Sequence, residues 1–329
     1  MIEKRTVFIL GAGASCPYGL PTAKELRCDI IRNFRKSYGD HLVVCREGDK
    51  ERVRRGYLTT SDATAFLSVF DGPNNMESID LFLSRQPRFR TIGKLAILLS
   101  ILRHERESRF GHNTKKPELD WYSLLYDRMT RESITKDGYR EFSRNKVAFI
   151  TFNYDRSLEH FLFRSLHSFE DANRENVREQ INQITISHVY GKLAPLPWQD
   201  NDASKVLEYG LDDSQSYGKL PGMVQSLYVV HDERMNPGLE KAREEIRNAE
   251  RIFFLGFGYA GENLKALGIP DTLRSEHNIF GTAMGSKPKE IQDIRSHFAA
   301  GLKRAGTIYG RDQVEIHDCD CVSLLRDFL

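Results

Sequence analysis

The chain has 329 residues, of which 40% are hydrophobic and 29% charged, and its formal net charge is +2. These values are typical of a globular protein with a sizeable core, and they argue against a dominant nucleic-acid-binding surface. No run approaches the roughly 18 consecutive apolar residues of a membrane span, and no signal-like apolar stretch is visible, so the expected location is the cytoplasm.

The five cysteines form neither a disulfide framework nor the paired spacing of a zinc module. His317, Cys319 and Cys321 lie close together in the sequence. Three soft ligands crowded into one strand end rarely converge on a tetrahedral ion. We therefore expect no metal site.

The stretch at residues 6–20 organises the chain, because an apolar run there ends abruptly in small residues. Residues 7–10 have the β-branched and aromatic content of a strand buried on both faces. The residues from Gly11 to Ser15 then allow a tight turn, and Thr22 is suited to cap a following helix. This order predicts a dinucleotide site, although Cys16 stands where the dehydrogenase fingerprint needs its third glycine.

Helical patterns dominate the next part of the chain, residues 24–144, which we interpret as an insertion. The expected features are, in order, a helix at 23–38, a polar region at 39–56, a break at 71–75, helical segments starting at 76 and 92, a helix at 121–126 capped by Asp120, and a solvated basic connection at 136–146.

Strand patterns return after the insertion. They begin or lie at residues 147–151, 184–189, 227–230, 251, 279–284 and 314–316, with a closing helix around 324–328. Six or seven strands that alternate with helices predict an α/β fold with a Rossmann-like, doubly wound, mostly parallel sheet. We expect a single domain, with a core of residues 1–23 and 145–329 around the insertion.

Polar residues follow several of these strands. Asn153 and Asp155 follow the second strand, and His188 and Tyr190 lie at the end of the third. Open α/β sheets bind ligands at the carboxyl ends of their strands, so these residues are site candidates. Asp155 can instead cap the next helix. His231 is a weaker candidate, as an ordinary residue at a strand end.

Four blocks of the sequence together resemble the SIR2 (sirtuin) superfamily. They are GAGASCPYGLPT at 11–22, TFNYDRSLE at 151–159, HVYGKL at 188–193 and LGFGYAGENL at 255–264. The first block matches the sirtuin pattern GAGxSxxxGIP without a gap, and the second matches the TxNxD element. The segments at 78–83 and 93–99 look like the helical region of SIR2-like proteins of prokaryotic antiviral defence.

Two departures from the family matter. The four-cysteine zinc module of the protein deacylases is missing, and Thr22, Ala23 and Lys24 stand where a sirtuin reads Asp-Phe-Arg. Both disfavour an acyl-lysine substrate. The defence branch implies an NAD glycohydrolase, which cleaves NAD to nicotinamide and ADP-ribose without zinc or any cofactor beyond NAD as substrate.

The resemblance also implies how such a protein is controlled. A toxic NADase has to be held inactive, so we expect homo-oligomerisation or a companion protein, such as a HerA-type ATPase, an Argonaute-like protein or a phage component. Two alternatives stay open. The pocket can sense NAD or ADP-ribose for a partner without turnover, or, less in keeping with the motifs, the chain can be a protein deacylase.

Cleavage of the glycosidic bond of NAD passes through an oxocarbenium-like state and needs an activated water but no general acid, because nicotinamide leaves as a neutral molecule. We assign Asn153 to the ribose or the water, Asp155 to the ribose or the loop, and His188 to the base, with Tyr190 as its alternative. The phosphate-binding candidates are Gly11, Ala12, Gly13, Ala14, Ser15 and Thr22, and those for the adenosine half are Gly256, Gly258, Tyr259 and Asn263. Gly256 and Gly258 can instead serve close packing, and Tyr259 can be structural.

Overall fold

The computed structural model describes residues 1–48, 59–72, 78–114, 116–131, 138–211, 219–229, 238–306 and 313–329. Its strands are β1 (Thr6–Leu10), β2 (Val147–Thr151), β3 (Thr185–His188), β4 (Arg251–Leu255), β5 (Asn278–Thr282) and β6 (Val314–His317). They form one parallel sheet in the order β3-β2-β1-β4-β5-β6. The predicted α/β, Rossmann-like fold is confirmed.

Helices connect the strands and cover both faces of the sheet. They are α1 (Ala12–Ser15), α2 (Ala23–Gly48), α3 (Thr60–Phe70), α4 (Ile79–Arg85), α5 (Arg90–Glu107), α6 (Trp121–Thr130), α7 (Ser157–His167), α8 (Arg174–Asn182), α9 (Leu220–Ser226), α10 (Gly238–Asn248), α11 (Gly261–Ala266), α12 (Pro288–Arg304) and α13 (Cys321–Phe328). None of the described helices combines the length and apolar character that a membrane span requires.

Strand β1 is buried on both sides because successive side chains point to opposite faces of the sheet. Val7 and Ile9 join a core that includes α2 to α5, α10 and α12. Phe8 and Leu10 join a second core with α6, α7, α8 and α13. Two apolar layers explain why the sequence of β1 is continuously apolar rather than alternating.

The order in which the chain adds strands to the sheet reverses at β1. From β1 the chain passes to β2 and β3 on one side of it, and later to β4, β5 and β6 on the other. Registers align the carboxyl ends, since Leu10 lies beside both Thr151 and Leu255. This reversal is the topological switch point at which open α/β sheets bind ligands.

The helices between β1 and β2 build a compact apolar unit. The ring of Phe66 lies at its centre, with its centroid 5.3–6.0 Å from those of four other phenylalanines: Phe34, Phe70, Phe82 and Phe89. A salt bridge of 2.8 Å between Arg103 and Asp29 ties α5 to α2. Helix α2 continues through Gly39 to Gly48 instead of ending near residue 38. A glycine inside a helix costs about 1 kcal/mol and does not by itself end the helix. Residues 49–56 of the expected polar region lie outside the described residues.

Two other expectations about local structure are wrong. The basic connection was expected to be solvated, but it contains a 3₁₀ helix at Gly138–Arg144 whose Tyr139 and Phe142 are buried. The prediction failed because these two apolar residues lie among charged ones in the sequence. Leu227 and Val229 are buried, but residues 227–229 form no strand. Their backbone is held by loop contacts instead, such as the bond of 2.9 Å that the amide of Tyr228 donates to the carbonyl of Tyr190.

Candidate functional site

A cavity of about 1190 Å³ lies at the carboxyl ends of β1, β2, β4 and β5. One wall, the sheet wall, consists of the residues that follow these strands. The opposite wall, the insertion wall, is formed by residues 78–81 at the start of α4 and by Ile101 of α5. The cavity therefore occupies the switch point and is lined on one side by the insertion.

The turn after β1 packs directly against the turn after β4. A Cβ atom on Gly11 would lie 2.4 Å from the carbonyl oxygen of Gly256, and one on Gly256 would lie 2.0 Å from the amide nitrogen of Ala14. Gly256 also has a φ of +56°. Only glycine satisfies both requirements, so the small residues of these two turns permit a close approach of two backbones.

This approach changes the role expected for the amides of the first turn. Gly11 N–H donates to Leu255 O at 3.0 Å, Gly13 N–H to Gly256 O at 3.0 Å, and Ala14 N–H to Gly11 O at 3.0 Å. These three amides were expected to bind phosphate, but they donate to protein carbonyls. The expectation of a phosphate cradle is corrected for them. Ala12 and Gly13 still line the cavity.

Asn153 joins the end of β2 to the turn after β1. Its Nδ2 donates to Gly11 O at 3.1 Å and to the hydroxyl of Ser15 at 2.9 Å, and the side chain is buried. Because both amide hydrogens have protein acceptors, Oδ1 is the atom with which Asn153 can meet a ligand, as an acceptor. We expected this side chain both to donate to a ligand and to accept from it. In the structure only the role of acceptor remains.

Asp155 lies beside Asn153 on the cavity wall, buried among hydroxyl groups. Its Oδ1 accepts from the amide of Ser157 at 3.0 Å and from the hydroxyl of the same residue. The Ser157 hydroxyl in turn lies 2.7 Å from that of Tyr122. Burial raises the pKa of Asp155, although the hydrogen bonds from Ser157 counteract this. Asp155 thus accepts from the first amide of α7, although the N-cap residue of this helix is Arg156, and it also faces the cavity.

His188 does not line the cavity. Its Nδ1 lies 3.0 Å from the carbonyl oxygen of Asn153, and its Nε2 lies 3.0 Å from Oε1 of Glu159. Lys192 donates to the same carboxylate oxygen at 2.9 Å. Burial alone would raise the pKa of Glu159, but Lys192 and His188 hold it well below its usual range. The contacts of His188 do not support its expected role as the base.

Tyr190 reaches the cavity instead. Its hydroxyl donates to Oδ1 of Asn263 at 2.8 Å, which links the end of β3 to α11 across the site. Its ring lies edge-on to Phe152, with the centroids 5.5 Å apart. Of the two residues weighed for the base, the structure therefore brings Tyr190 and not His188 to the cavity.

The four adenosine candidates Gly256, Gly258, Tyr259 and Asn263 all line the cavity. The side chain of Tyr259 is also held by protein contacts, since its hydroxyl donates to Thr282 O at 3.1 Å and its ring contacts Phe254 and Phe298. A Cβ at Gly258 would have no neighbour within 4 Å, so this glycine, unlike Gly256, leaves space for a ligand.

Thr22 caps α2, as expected. The hydroxyl of Thr22 accepts from the amide of Glu25 at 3.2 Å, and the carboxylate of Glu25 accepts from the amide of Thr22 at 2.8 Å. These hydrogen bonds lower the pKa of Glu25. Both residues line the cavity, so the start of α2 forms part of its rim.

Carboxylates dominate the charged lining of the cavity among the described residues. They belong to Glu25, Asp80, Asp155, Glu262, Glu290, Asp293 and Asp320, whereas the basic side chain is that of Lys116. Carboxylates accept hydrogen bonds from ribose hydroxyls and repel additional phosphate groups. The lining therefore favours a ligand that presents sugar hydroxyls.

Sequence reasoning missed two contacts that join the cavity walls. Tyr154, inside the TFNYD block, bonds through its hydroxyl to Asp80 of α4 and to Tyr228 O. Arg156 forms a salt bridge of 2.6 Å with Glu105 of α5, and both side chains are fully buried. For Tyr154 the sequence signal was Asp80, a charged residue inside an otherwise apolar segment, which does not identify its partner. Glu105 and Arg156 lie among other charged residues, so nothing local distinguished them.

The remaining candidates give no metal centre in the described part of the chain, where no group of three or more potential ligands converges. His317 lies 2.9 Å from its neighbour Glu315, while Cys319 and Cys321 line the cavity. Burial raises the pKa of Cys319 to about 11, so its thiol stays protonated at neutral pH. His231 lies outside the described residues.

The chain matches no protein-family model and no curated protein at a significant level. The similarity of its motifs to the SIR2 superfamily therefore stays a prediction from the sequence.

Proposed function

We propose that the chain is a SIR2-like NAD glycohydrolase that releases nicotinamide and ADP-ribose, as an effector of antiphage defence. The observation that carries the proposal is the position of Asn153. Two motifs that are about 140 residues apart meet at its amide, 3.1 Å from Gly11 O and 2.9 Å from the Ser15 hydroxyl, on the wall of a cavity large enough for a dinucleotide.

The geometry supports a division of roles at the reacting sugar. Oδ1 of Asn153 accepts a hydrogen bond from a ribose hydroxyl or from the attacking water. Asp155 is the better base, because it faces the cavity and burial raises its pKa toward the range in which a carboxylate can take a proton from water. The oxocarbenium-like charge that develops at C1 is stabilised by the acidic lining.

The direct test is nicotinamide release from NAD by the purified protein, alone and with candidate partners. Asn153→Ala should lower the rate at least about 100-fold, the scale expected when a preorganised polar group is removed from an active site. Asn33→Ala is the matched control, since this exposed asparagine bonds to Asp29 on α2, away from the cavity. An unchanged rate in Asn153→Ala would remove the assignment.

The acidic lining extends the proposal to the choice of dinucleotide. NADP carries an additional phosphate on the adenosine ribose, and carboxylates such as Glu290 and Asp293 lie at the rim near β5. We expect NAD to be bound at least about tenfold more tightly than NADP, because like charges repel. Equal affinity in a calorimetric titration would contradict this.

A second candidate function is a sensor that binds NAD or ADP-ribose without turnover. The contacts of His188 favour it, because both ring nitrogens are engaged and this expected base does not line the cavity. Tight binding with no nicotinamide release in the presence of any partner would select this candidate.

Control of the activity belongs to the same proposal. We place it in assembly, as a homo-oligomer or with a companion protein such as a HerA-type ATPase. Size-exclusion chromatography should show a species larger than the monomer when the protein is active. A fully active monomer would exclude control by assembly.

A further inference from the structure

The contacts of His188 imply more than its absence from the cavity. Its Nδ1 faces the carbonyl oxygen of Asn153 at 3.0 Å, and its Nε2 faces the carboxylate of Glu159 at 3.0 Å. A carbonyl oxygen only accepts hydrogen bonds, and so does an ionised carboxylate. Two favourable contacts therefore require a hydrogen on each ring nitrogen, which is the imidazolium form.

The surroundings of Glu159 keep it ionised. Lys192 donates to the same Oε1 at 2.9 Å, and its positive charge is the largest influence that holds the pKa of Glu159 well below its usual range despite the burial. The side chain of His188 is 6% exposed and that of Glu159 is 2% exposed. Water therefore screens their attraction little, and the carboxylate favours the charged ring.

We propose that His188 is a positioning residue, a buried imidazolium that fixes the backbone of Asn153 and so aims the Asn153 amide at the bound substrate. The inference rests on the proposed function for its effect on hydrolysis, but not for the charge of the ring. This contact between the charged ring and the carbonyl group of Asn153 is called the clamp below. With His188 charged, the Asn153 backbone is pulled toward β3 while its side chain holds the turn after β1.

Other titratable groups near the ring come from each neighbouring element. Glu159 belongs to α7, Lys192 follows β3, and Asp155 lies in the loop after β2, where its pKa is raised by burial and also by the charge of Glu159. Helix α10 packs on β3, and its Glu245 bonds the hydroxyl of Thr185 at the start of that strand. Glu159 is the group in direct contact with the ring.

The clamp and a general base require different forms of the ring. A base needs a bare ring nitrogen that can take a proton from water. A clamp needs a hydrogen on both nitrogens, because a bare nitrogen would direct a lone pair at an oxygen acceptor. In the proposed reaction Asp155 is the base.

The test begins with the ¹⁵N-labelled free protein, without NAD. The His188 ring, assigned by the signals that His188→Gln removes, should carry hydrogens on both nitrogens at pH 7. Glu159→Gln should leave one ring nitrogen without a hydrogen, because the amide of glutamine can donate to it whereas the carboxylate can only accept. A ring with one bare nitrogen at pH 7 in the parent protein overturns the proposal, whatever the protein does with NAD.

The second part measures kcat and KM of nicotinamide release for Glu159→Gln. We expect kcat to fall while KM changes little, because the clamp aims the Asn153 amide at the reacting sugar and does not hold the rest of the dinucleotide. An unchanged kcat in a variant whose ring has lost a hydrogen would overturn the clamp. If no hydrolysis occurs under any condition, the proposed function fails while the ring spectrum still decides the charge of His188.

Discussion

The two walls of the cavity are stabilised by different interactions. The sheet wall is fixed by contacts between residues far apart in sequence, such as the backbone approach of Gly256 to Gly13 and Ala14. The insertion wall is held by its phenylalanine cluster and by local caps such as Thr59 and Asp62 on α3. The backbones of the sheet wall therefore leave no room for an added side-chain atom at Gly256. The insertion wall, in contrast, can lose a local contact and keep its packing.

The largest expected effect comes from breaking the tie between the walls. Glu105→Ala leaves the buried guanidinium of Arg156 without its carboxylate. Such a loss costs about 3–5 kcal/mol in the free energy of unfolding, to be measured by urea denaturation. Glu107→Ala, an exposed position on the same helix, is the control and should change it by less than about 0.5 kcal/mol. Equal effects would mean that the two walls are not coupled through this pair.

The next effect concerns the sheet wall alone. Gly256→Ala places a Cβ 2.0 Å from Ala14 N at a φ of +56°, and strain and overlap together should cost about 2–5 kcal/mol. Gly258→Ala is the matched variant in the same turn, where a Cβ meets nothing within 4 Å. It should leave the stability nearly unchanged and affect only NAD binding. Similar melting temperatures for the two variants would contradict the rigid sheet wall.

A smaller effect concerns the pH dependence of stability at the insertion wall. Burial raises the pKa of Asp80 on the insertion wall, so the folded state retains a proton that the unfolded state loses as pH rises above about 3.9. Asp80→Asn removes this penalty while keeping an amide near Tyr154. It should raise the melting temperature at pH 7 relative to the parent protein, and the difference should vanish near pH 3.

The exposed Asp62 supplies the opposite sign. Hydrogen bonds from Thr59 lower its pKa, so its contribution is present above the unfolded pKa and disappears as pH falls through the folded one. Asp62→Asn should therefore lower the melting temperature at pH 7 and not at low pH. A loss of stability at pH 7 in Asp80→Asn as well would show that Asp80 is ionised in the folded protein.

The smallest expected effect is local. Thr59→Ala removes the capping box of α3 and should cost about 1 kcal/mol. Thr64→Ala, at an exposed position within the same helix whose hydroxyl bonds to Thr60 O, should cost less. Because the insertion wall is held by apolar packing, neither change should alter the affinity for NAD. A loss of NAD binding in Thr59→Ala would show that the caps, and not the core, shape this wall.

The sequence predicted the parts of the fold that depend on local patterns. The continuous apolar run of β1, the glycine turn and the cap at Thr22 follow from neighbouring residues, and the structure contains each of them. The expected strand at residues 227–230 was wrong because an apolar segment can be buried without joining a ladder. The pattern records burial but not the pairing of the backbone.

The sequence predicted which residues belong to the site better than it predicted how they are arranged. Sequence placed Asn153, Asp155 and Tyr190 near the carboxyl ends of strands, where the cavity lies. It assigned His188 to that cavity because an imidazole at the end of a strand can change charge near neutral pH. The chain leaves β3 at His188, and the two side chains bond different partners, Glu159 for His188 and Asn263 for Tyr190.

The sequence by itself determined the layered α/β architecture and the turn at which two backbones can meet, because strand patterns, glycines and caps act over a few residues. Only the tertiary structure decided which amides remain for a ligand, which carboxylates become buried, and that His188 bonds Glu159 rather than a substrate. Those outcomes depend on atoms brought within about 3 Å from distant parts of the chain, and hydrogen-bond partners are fixed only at that distance.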